Sequence, residues 1–276
     1  MRKSMLVKLP ALGVALGFLV FAPSPLSWLG AVLALVIGSV VLVGIVVDTN
    51  SNFWAPTLWR APRPTNAVAL TFDDGPDPEF TPRVLQILAE KKVPAAFFVV
   101  GRRADAHPEL LAEAVRGGHL VAGHTYNHDL SFHFRLWGGV RKEIDACNRA
   151  IVRAIGREPL LFRSPQGFKN PALGDVLREL GLTAVGWQVR GLDAIERNPD
   201  TIFQRIVRGA KPGGVIAMHD GAGLLGTSSR QPTLDALPKV IDALRASGLE
   251  FARLDTLLDV EPYRRPSRVS NPAPPL

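Results

Sequence analysis

Residues 67–76 read AVALTFDDGP. Six mostly apolar residues run without polar alternation, then two carboxylates, then a Gly-Pro break. An unbroken apolar run of this length fits a short strand buried on both faces, as in a parallel sheet covered by helices. The pattern repeats downstream. Strands are predicted over 67–72, 95–100, 119–123, 160–162, 183–189, 215–218 and 251–257. Helical spacing is predicted over 81–90, 108–115, 139–155, 171–180, 199–207 and 233–246. Strands and helices in alternation imply parallel strands joined by crossover helices. About 195 residues is short for a complete eightfold barrel. The fold class is therefore α/β, an incomplete or distorted barrel. An open doubly wound sheet is the alternative, but its Gly-rich phosphate loop after the first strand is replaced here by Asp-Asp-Gly-Pro.

Outside this core the chain changes character. Residues 9–47 carry no charged side chain. A 39-residue helix would measure roughly 58 Å, against a hydrocarbon core of about 30 Å. Pro23 and Pro25 break the run. The reading is an N-terminal membrane anchor over 1–47, a hairpin of helices at about 5–22 and 26–47. The positive-inside rule places both of its ends in the cytoplasm; if the first piece does not span, the soluble domain lies outside. Residues 48–65 read as a linker, 66–260 as the α/β domain and 261–276 as a Pro-rich disordered tail.

The 276 residues hold 32 Lys+Arg, 25 Asp+Glu and a single Cys. One cysteine excludes a disulfide framework or a thiolate zinc site. The net charge of +7 is concentrated toward the two ends, and residues 48–260 carry 26 basic against 24 acidic side chains. Without a basic stripe, a nucleic-acid partner is not expected.

The reactive residue types follow strand ends: Asp73 and Asp74 after the first, His124 and His128 after the third, Arg163, Asp193, then His219 and Asp220. In a parallel barrel these ends share one face, the face that carries active sites. His124 and His128, four apart, are expected on one helical turn, able to share a metal. With a carboxylate they make a two-His, one-carboxylate set, which suits a hydrolytic Zn²⁺ or an oxygenase Fe(II). The Asp73-Asp74 pair favours hydrolysis, one carboxylate on the metal and one facing water, unless Asp-Asp-Gly-Pro is merely a turn. His107 is read as a helix cap, His119 as structural and Cys147 as a small buried apolar residue.

Taken in order, Thr71-Phe72-Asp73-Asp74-Gly75-Pro76, His124-Thr125-x-x-His128, Arg163-Ser164-Pro165-Gln166-Gly167, Trp187…Asp193 and Ile216-Ala217-Met218-His219-Asp220 resemble the five motifs of the polysaccharide deacetylase family, the NodB-homology domain of carbohydrate esterase family 4. The resemblance covers roughly 66–258. It implies a distorted (β/α)7 barrel and a divalent metal, Zn²⁺ in the first instance, that removes N-acetyl or O-acetyl groups from a sugar or glycan. It further implies Asp73 as base, Asp74, His124 and His128 as ligands, and His219 as acid. Arg163 would orient Asp73, with Asp193 paired to Arg163. Gln166, Gly167, Trp187 and Arg190 would meet substrate. Gln166 and Ala194 replace the aromatic residues usual in the third and fourth motifs, and Arg190 adds a cation, which favours an anionic or lipid-phosphate-linked sugar. The expectation is a membrane-anchored sugar deacetylase touching membrane lipid. The alternatives are a deacetylase or deformylase of a lipid-linked sugar at the cytoplasmic face, or a silent carbohydrate-binding membrane protein.

Overall fold

The computed structural model describes residues 25–222 and 229–265. Helix α1 (Pro25–Val47) opens the described chain. Its stretch Trp28–Val47 has a mean hydropathy of 2.9 and is almost wholly exposed. Among the described residues it is the one helix long and apolar enough to cross a membrane. The first arm of the expected hairpin, about 5–22, lies outside the described residues.

The barrel is built around β2 (Ala67–Asp73), whose residues from Val68 onward are all buried. That explains the unbroken apolar run: both faces are covered. β2 pairs with β3 (Ala95–Val99) on one side and β8 (Val215–His219) on the other. The pairing continues through β4 (Leu120–Gly123), β5 (Leu161–Phe162) and β6 (Thr183–Val185) to β1 (Thr57–Leu58), and β7 (Val189–Arg190) adds to β8. All these pairs are parallel. Helices α2 (Thr81–Lys91), α3 (Gly101–Ala106), α4 (Pro108–Arg116), α5 (Trp137–Ile155), α6 (Pro171–Leu180), α7 (Pro199–Gly209) and α8 (Gln231–Ala246) lie between the strands in sequence. The distorted parallel (β/α) barrel is thus the observed fold.

The distortion has a definite origin. The strand expected over 183–189 splits. β6 and β7 are consecutive in sequence yet belong to distant parts of the sheet, and only residues 186–188 span between them. Gly186 N–H donates to Leu58 O and Gln188 N–H to Val215 O, so the crossing peptides bond alternately to either side. Residues 59–61 cross the same gap: Ala61 N–H donates to Gly213 O and Val215 N–H to Trp59 O. The segment 48–65, expected as a linker, is therefore a component of the barrel. Trp54 and Ala55 are buried, and β1 is a strand of the sheet.

Two further differences concern the C-terminal part. The expected strand 251–257 is a two-residue β9 (Glu250–Phe251) followed by α9 (Leu254–Leu258). Leu254, Leu257 and Leu258 recur at helical spacing and pack on Ala69, Leu120 and Leu161, so burial favours the helix. The start of the expected tail is also packed. Tyr263 Oη accepts from Val121 N–H at 2.9 Å, and Leu160 N–H donates to Pro262 O.

Gly174 of α6 shows how tightly the 48–65 segment is seated. A Cβ there would lie 2.0 Å from the Trp54 carbonyl oxygen, a backbone atom. Gly174→Ala should lower stability by about 1–3 kcal/mol in denaturant unfolding, although alanine favours the helix by up to ~1 kcal/mol. Unchanged stability would mean that this segment is not fixed against α6.

Candidate active site

The C-terminal strand ends bring the motif residues to one cavity of about 420 Å³. Asp73, Asp74, His124, His128 and His219 line it, with Leu130, Gln166, Trp187, Arg190, Ile195 and Arg230 among the remaining wall residues.

Asp74 leaves β2 in the left-handed region, φ 73°, which separates its carboxylate from that of Asp73. Its Oδ1 lies 3.4 Å from His124 Nε2 and 3.1 Å from His128 Nε2. His124 Nδ1 lies 2.8 Å from the Arg163 carbonyl. A carbonyl only accepts, so Nδ1 carries the proton and Nε2 presents a lone pair to the cluster. Burial, helped by neighbouring His124, pushes His128 down to about 4, so its ring is neutral at pH 7. Burial raises the Asp74 carboxyl, but the three histidines around it, His124, His128 and His219, outweigh burial and hold the group below its ordinary range.

The three ligand atoms lie within 4.8 Å of one another and are buried. A tetrahedron with bonds of about 2.0–2.2 Å has edges of roughly 3.3–3.6 Å. The two Asp–His separations are close to such edges. One carboxylate and two imidazoles, one held in the right tautomer and the other neutral at pH 7, fit a divalent cation.

The histidine pair is not held by a helical turn, as its spacing predicts. Residues 124–129 form a loop in which Thr125 and His128 both have positive φ. Glu143, buried on α5, staples this loop. Its Oε2 accepts from the Tyr126 and Asn127 amides, and its Oε1 accepts from Asn127 Nδ2 and Arg135. Thr125 Oγ1 accepts from the His128 amide. Glu143 has no motif, yet a lone acid flanked by Val140, Ile144 and Cys147 on the buried side of a helix is the signal that could have found it.

Arg163 is fully buried and donates to Asp73 Oδ1 at 2.6 Å, to Thr71 Oγ1 at 2.8 Å, and to the Val185 and Gly186 carbonyls. Asp193 is not its partner, contrary to the expected pairing. Asp193 accepts from His219 Nδ1 at 2.9 Å, from the His219 amide at 2.8 Å and from Thr233 Oγ1 at 2.8 Å. Both Asp193 oxygens are taken by His219 and Thr233, and the Arg163 donors are spent on other groups. Burial lowers the His219 pKa, but the Asp193 carboxylate more than reverses this and raises it to about 9, so the ring is an imidazolium at neutral pH. Arg230, which sequence reasoning missed, supports the Asp193 backbone by donating to its carbonyl. No local pattern marks Arg230 or Thr233.

The substrate-facing expectations divide. Gln166 lines the cavity and accepts from His133 Nε2 at 2.8 Å. Trp187 and the exposed Arg190 line it too, with the guanidinium 5.6 Å from the indole centroid. Gly167 lies behind the wall: a Cβ on it would meet Thr49 at 2.4 Å and Trp187 at 2.7 Å. Its role is packing. Elsewhere, His107 makes no side-chain cap and instead sits 3.5 Å from Glu109. His119 Nδ1 accepts from the Ala95 amide. Cys147 is buried, its thiol pushed up to about 12 by burial, and is inert at neutral pH.

The sequence model of the family described as Polysaccharide deacetylase matches residues 60–185. A peptidoglycan-N-acetylglucosamine deacetylase of Bacillus cereus is 32% identical over 203 residues, covering 72% of this chain and 92% of the relative. The chain belongs to the polysaccharide deacetylase family. A chitooligosaccharide deacetylase of Sinorhizobium fredii is 39% identical over 189 residues, 66% of this chain and 87% of the relative. The solved peptidoglycan N-acetylglucosamine deacetylase Bc1960 superposes with a TM-score of 0.70 at 30% identity, over 75% of this chain and 94% of its own. In this family member the matched region ends at β6, and Asp193 and His219 reach the cavity from the strands beyond it.

The Asp193–His219 pairing gives a signed pH expectation. The raised His219 pKa means that this pair stabilises the fold fully below about 6.5, the ordinary histidine value, and loses that contribution as pH rises through about 9. Asp193→Asn should bring the His219 midpoint, read by imidazole NMR, down by at least a full pH unit. An unmoved midpoint would assign the shift to another group.

Proposed function

We propose that this protein is a divalent-metal-dependent hydrolase that removes N-acetyl groups from a cell-envelope sugar, anchored in the cell membrane by α1. One observation carries the reading. A carboxylate with two imidazoles, a second carboxylate fixed by a buried arginine, and an imidazolium all face a single cavity. A silent binding module has no use for that division of protonation states.

Asp74, His124 and His128 would hold the ion. Bound there, Zn²⁺ or a similar cation supplies Lewis-acid polarisation of the acetyl carbonyl and a more acidic water. The remaining work belongs to the chain. Asp73, fixed by Arg163, accepts the proton of the water whose oxygen attacks the carbonyl carbon. His219, held charged by Asp193, donates to the amine nitrogen as the C–N bond breaks, leaving acetate and a free amine. The backbone N–H of Gln166 itself is assigned to the developing oxyanion, since Pro165 has none and the Gly167 N–H is donated to Ser164 O. The relatives named above for peptidoglycan and chitooligosaccharide deacetylation support the substrate class.

Two variants separate binding from chemistry. Asp73→Asn should keep one metal per chain by elemental analysis and lose about 10²–10⁴-fold in kcat on an N-acetylated sugar. His128→Ala should lose the metal as well. Full activity after exhaustive chelation would sink the metal-dependent reading.

A specific observation favours an anionic substrate. Arg190 makes no ion pair with any described residue and stands at the rim over Trp187, while Gln166 and Ala194 offer no aromatic face to a neutral sugar ring. Arginine suits bidentate contact with phosphate or carboxylate. Arg190→Ala should raise KM about tenfold or more for a sugar phosphate and leave neutral chitin oligomers unaffected, as expected for one charge-assisted contact of about 1.5–3 kcal/mol. Equal effects on both substrates would remove Arg190 from recognition.

A further inference from the structure

The C-terminal end of α1 is built into the wall of the catalytic cavity. The Lys169 amide donates to Val46 O in the last turn of the helix, and the buried Lys169 Nζ donates to Thr49 O at 2.6 Å. Asn50 Nδ2 donates to Trp187 O at 3.0 Å. Gly167 packs so closely on Thr49 that no side chain fits between them. Gln166 and Trp187, on either side of these contacts, line the cavity itself. Whatever depth the end of α1 takes, this side of the mouth takes it too, within a few residues' reach.

The rim beside these contacts, and the turn that runs from it through residues 130–136, are apolar and bare. Leu130 is 62% exposed, Phe134 87%, Leu136 83% and Ile195 73%. Leu130 and Ile195 line the cavity. The turn that carries Leu130 and Phe134 is tied to the same 166–170 loop that grips α1. His133 bonds Gln166 at 2.8 Å, and Asn170 Nδ2 donates to His133 O at 2.8 Å. Large exposed apolar side chains clustered on one rim mark an interaction surface, and a rim coupled to the end of a span meets lipid first.

We infer that the mouth of the catalytic cavity is seated on the bilayer, with Leu130, Phe134, Leu136 and Ile195 in the interfacial layer. The inference rests on reading α1 as a membrane span. It gives the pocket a defined approach: the sugar enters along the plane of the headgroups rather than from bulk water. Arg190, on the same rim, then lies at the level of lipid phosphates.

The test uses the full chain in lipid nanodiscs, with an environment-sensitive fluorophore on Phe134→Cys or Leu136→Cys. Buried Cys147 stays unlabelled. The control probe is Glu250→Cys, exposed on β9 against the first residue of β2, at the end of the barrel opposite Asp73. Phospholipid carrying a headgroup-level nitroxide should quench the probes at 134 and 136 by at least half and leave the probe at 250 unquenched. Equal quenching at 134, 136 and 250, or none at any of them, overturns the inference. Protection of 134 that depends on protein concentration overturns it in favour of contact between two copies. Vesicle flotation separates the two levels: a chain that does not float overturns the span and this inference together, whereas flotation with unquenched probes at 134 and 136 overturns this inference alone. Neither measurement depends on turnover.

Discussion

The buried guanidinium of Arg163 holds the active face together. It crosses the barrel interior to Asp73 and Thr71 on β2 and to two carbonyls at the end of β6, and it lies 4.0 Å from the ring centroid of Phe98. Its own carbonyl fixes the tautomer of His124. One residue thus sets the position of the Asp73 carboxylate and the tautomer of His124. A buried ion pair is weak support for stability in itself, but removing one partner strands the other charge at a cost of about 3–5 kcal/mol. The arrangement is therefore better understood as a constraint on geometry than as a source of stability.

Around that constraint the titratable groups are pushed apart. Asp74 stays ionised, His128 stays neutral and His219 stays charged, although all three face the same cavity. The differences come from particular partners: two imidazoles around one carboxylate oxygen, and Asp193 behind His219. The proposed hydrolysis depends on such a separation within a few ångströms, with one group to hold a cation, one to accept a proton and one to donate another.

The sequence made the strand ends readable because parallel strands put all their C-termini on one face, and a buried strand shows as an unbroken apolar run. What stayed hidden was non-local. Thr183–Val189 reads as one strand because the single mark in TAVGWQV, Gly186, is also tolerated inside a continuous strand and does not say that the chain leaves one part of the sheet for another. The prolines of 48–65 read as a linker because the partners that bury Trp54 and pair β1 lie more than a hundred residues away. The spacing of His124 and His128 picked out two residues that do share one cluster with Asp74, but on the wrong scaffold, since a loop held by Glu143 can present two side chains as a helical turn does. Asp193 was placed in the site but given the wrong partner, because strand-end position says which residues meet and not which donor faces which acceptor.

The crossing at 186–188 has a consequence for the shape of the groove. Three residues reach at most about 10 Å when extended, and both ends of this tether are bonded into the barrel. A wall of this kind cannot widen by strands sliding past each other, as an open sheet edge can. The aperture beside Trp187 is a fixed length of chain, and the family member can change what it admits there only by exchanging side chains.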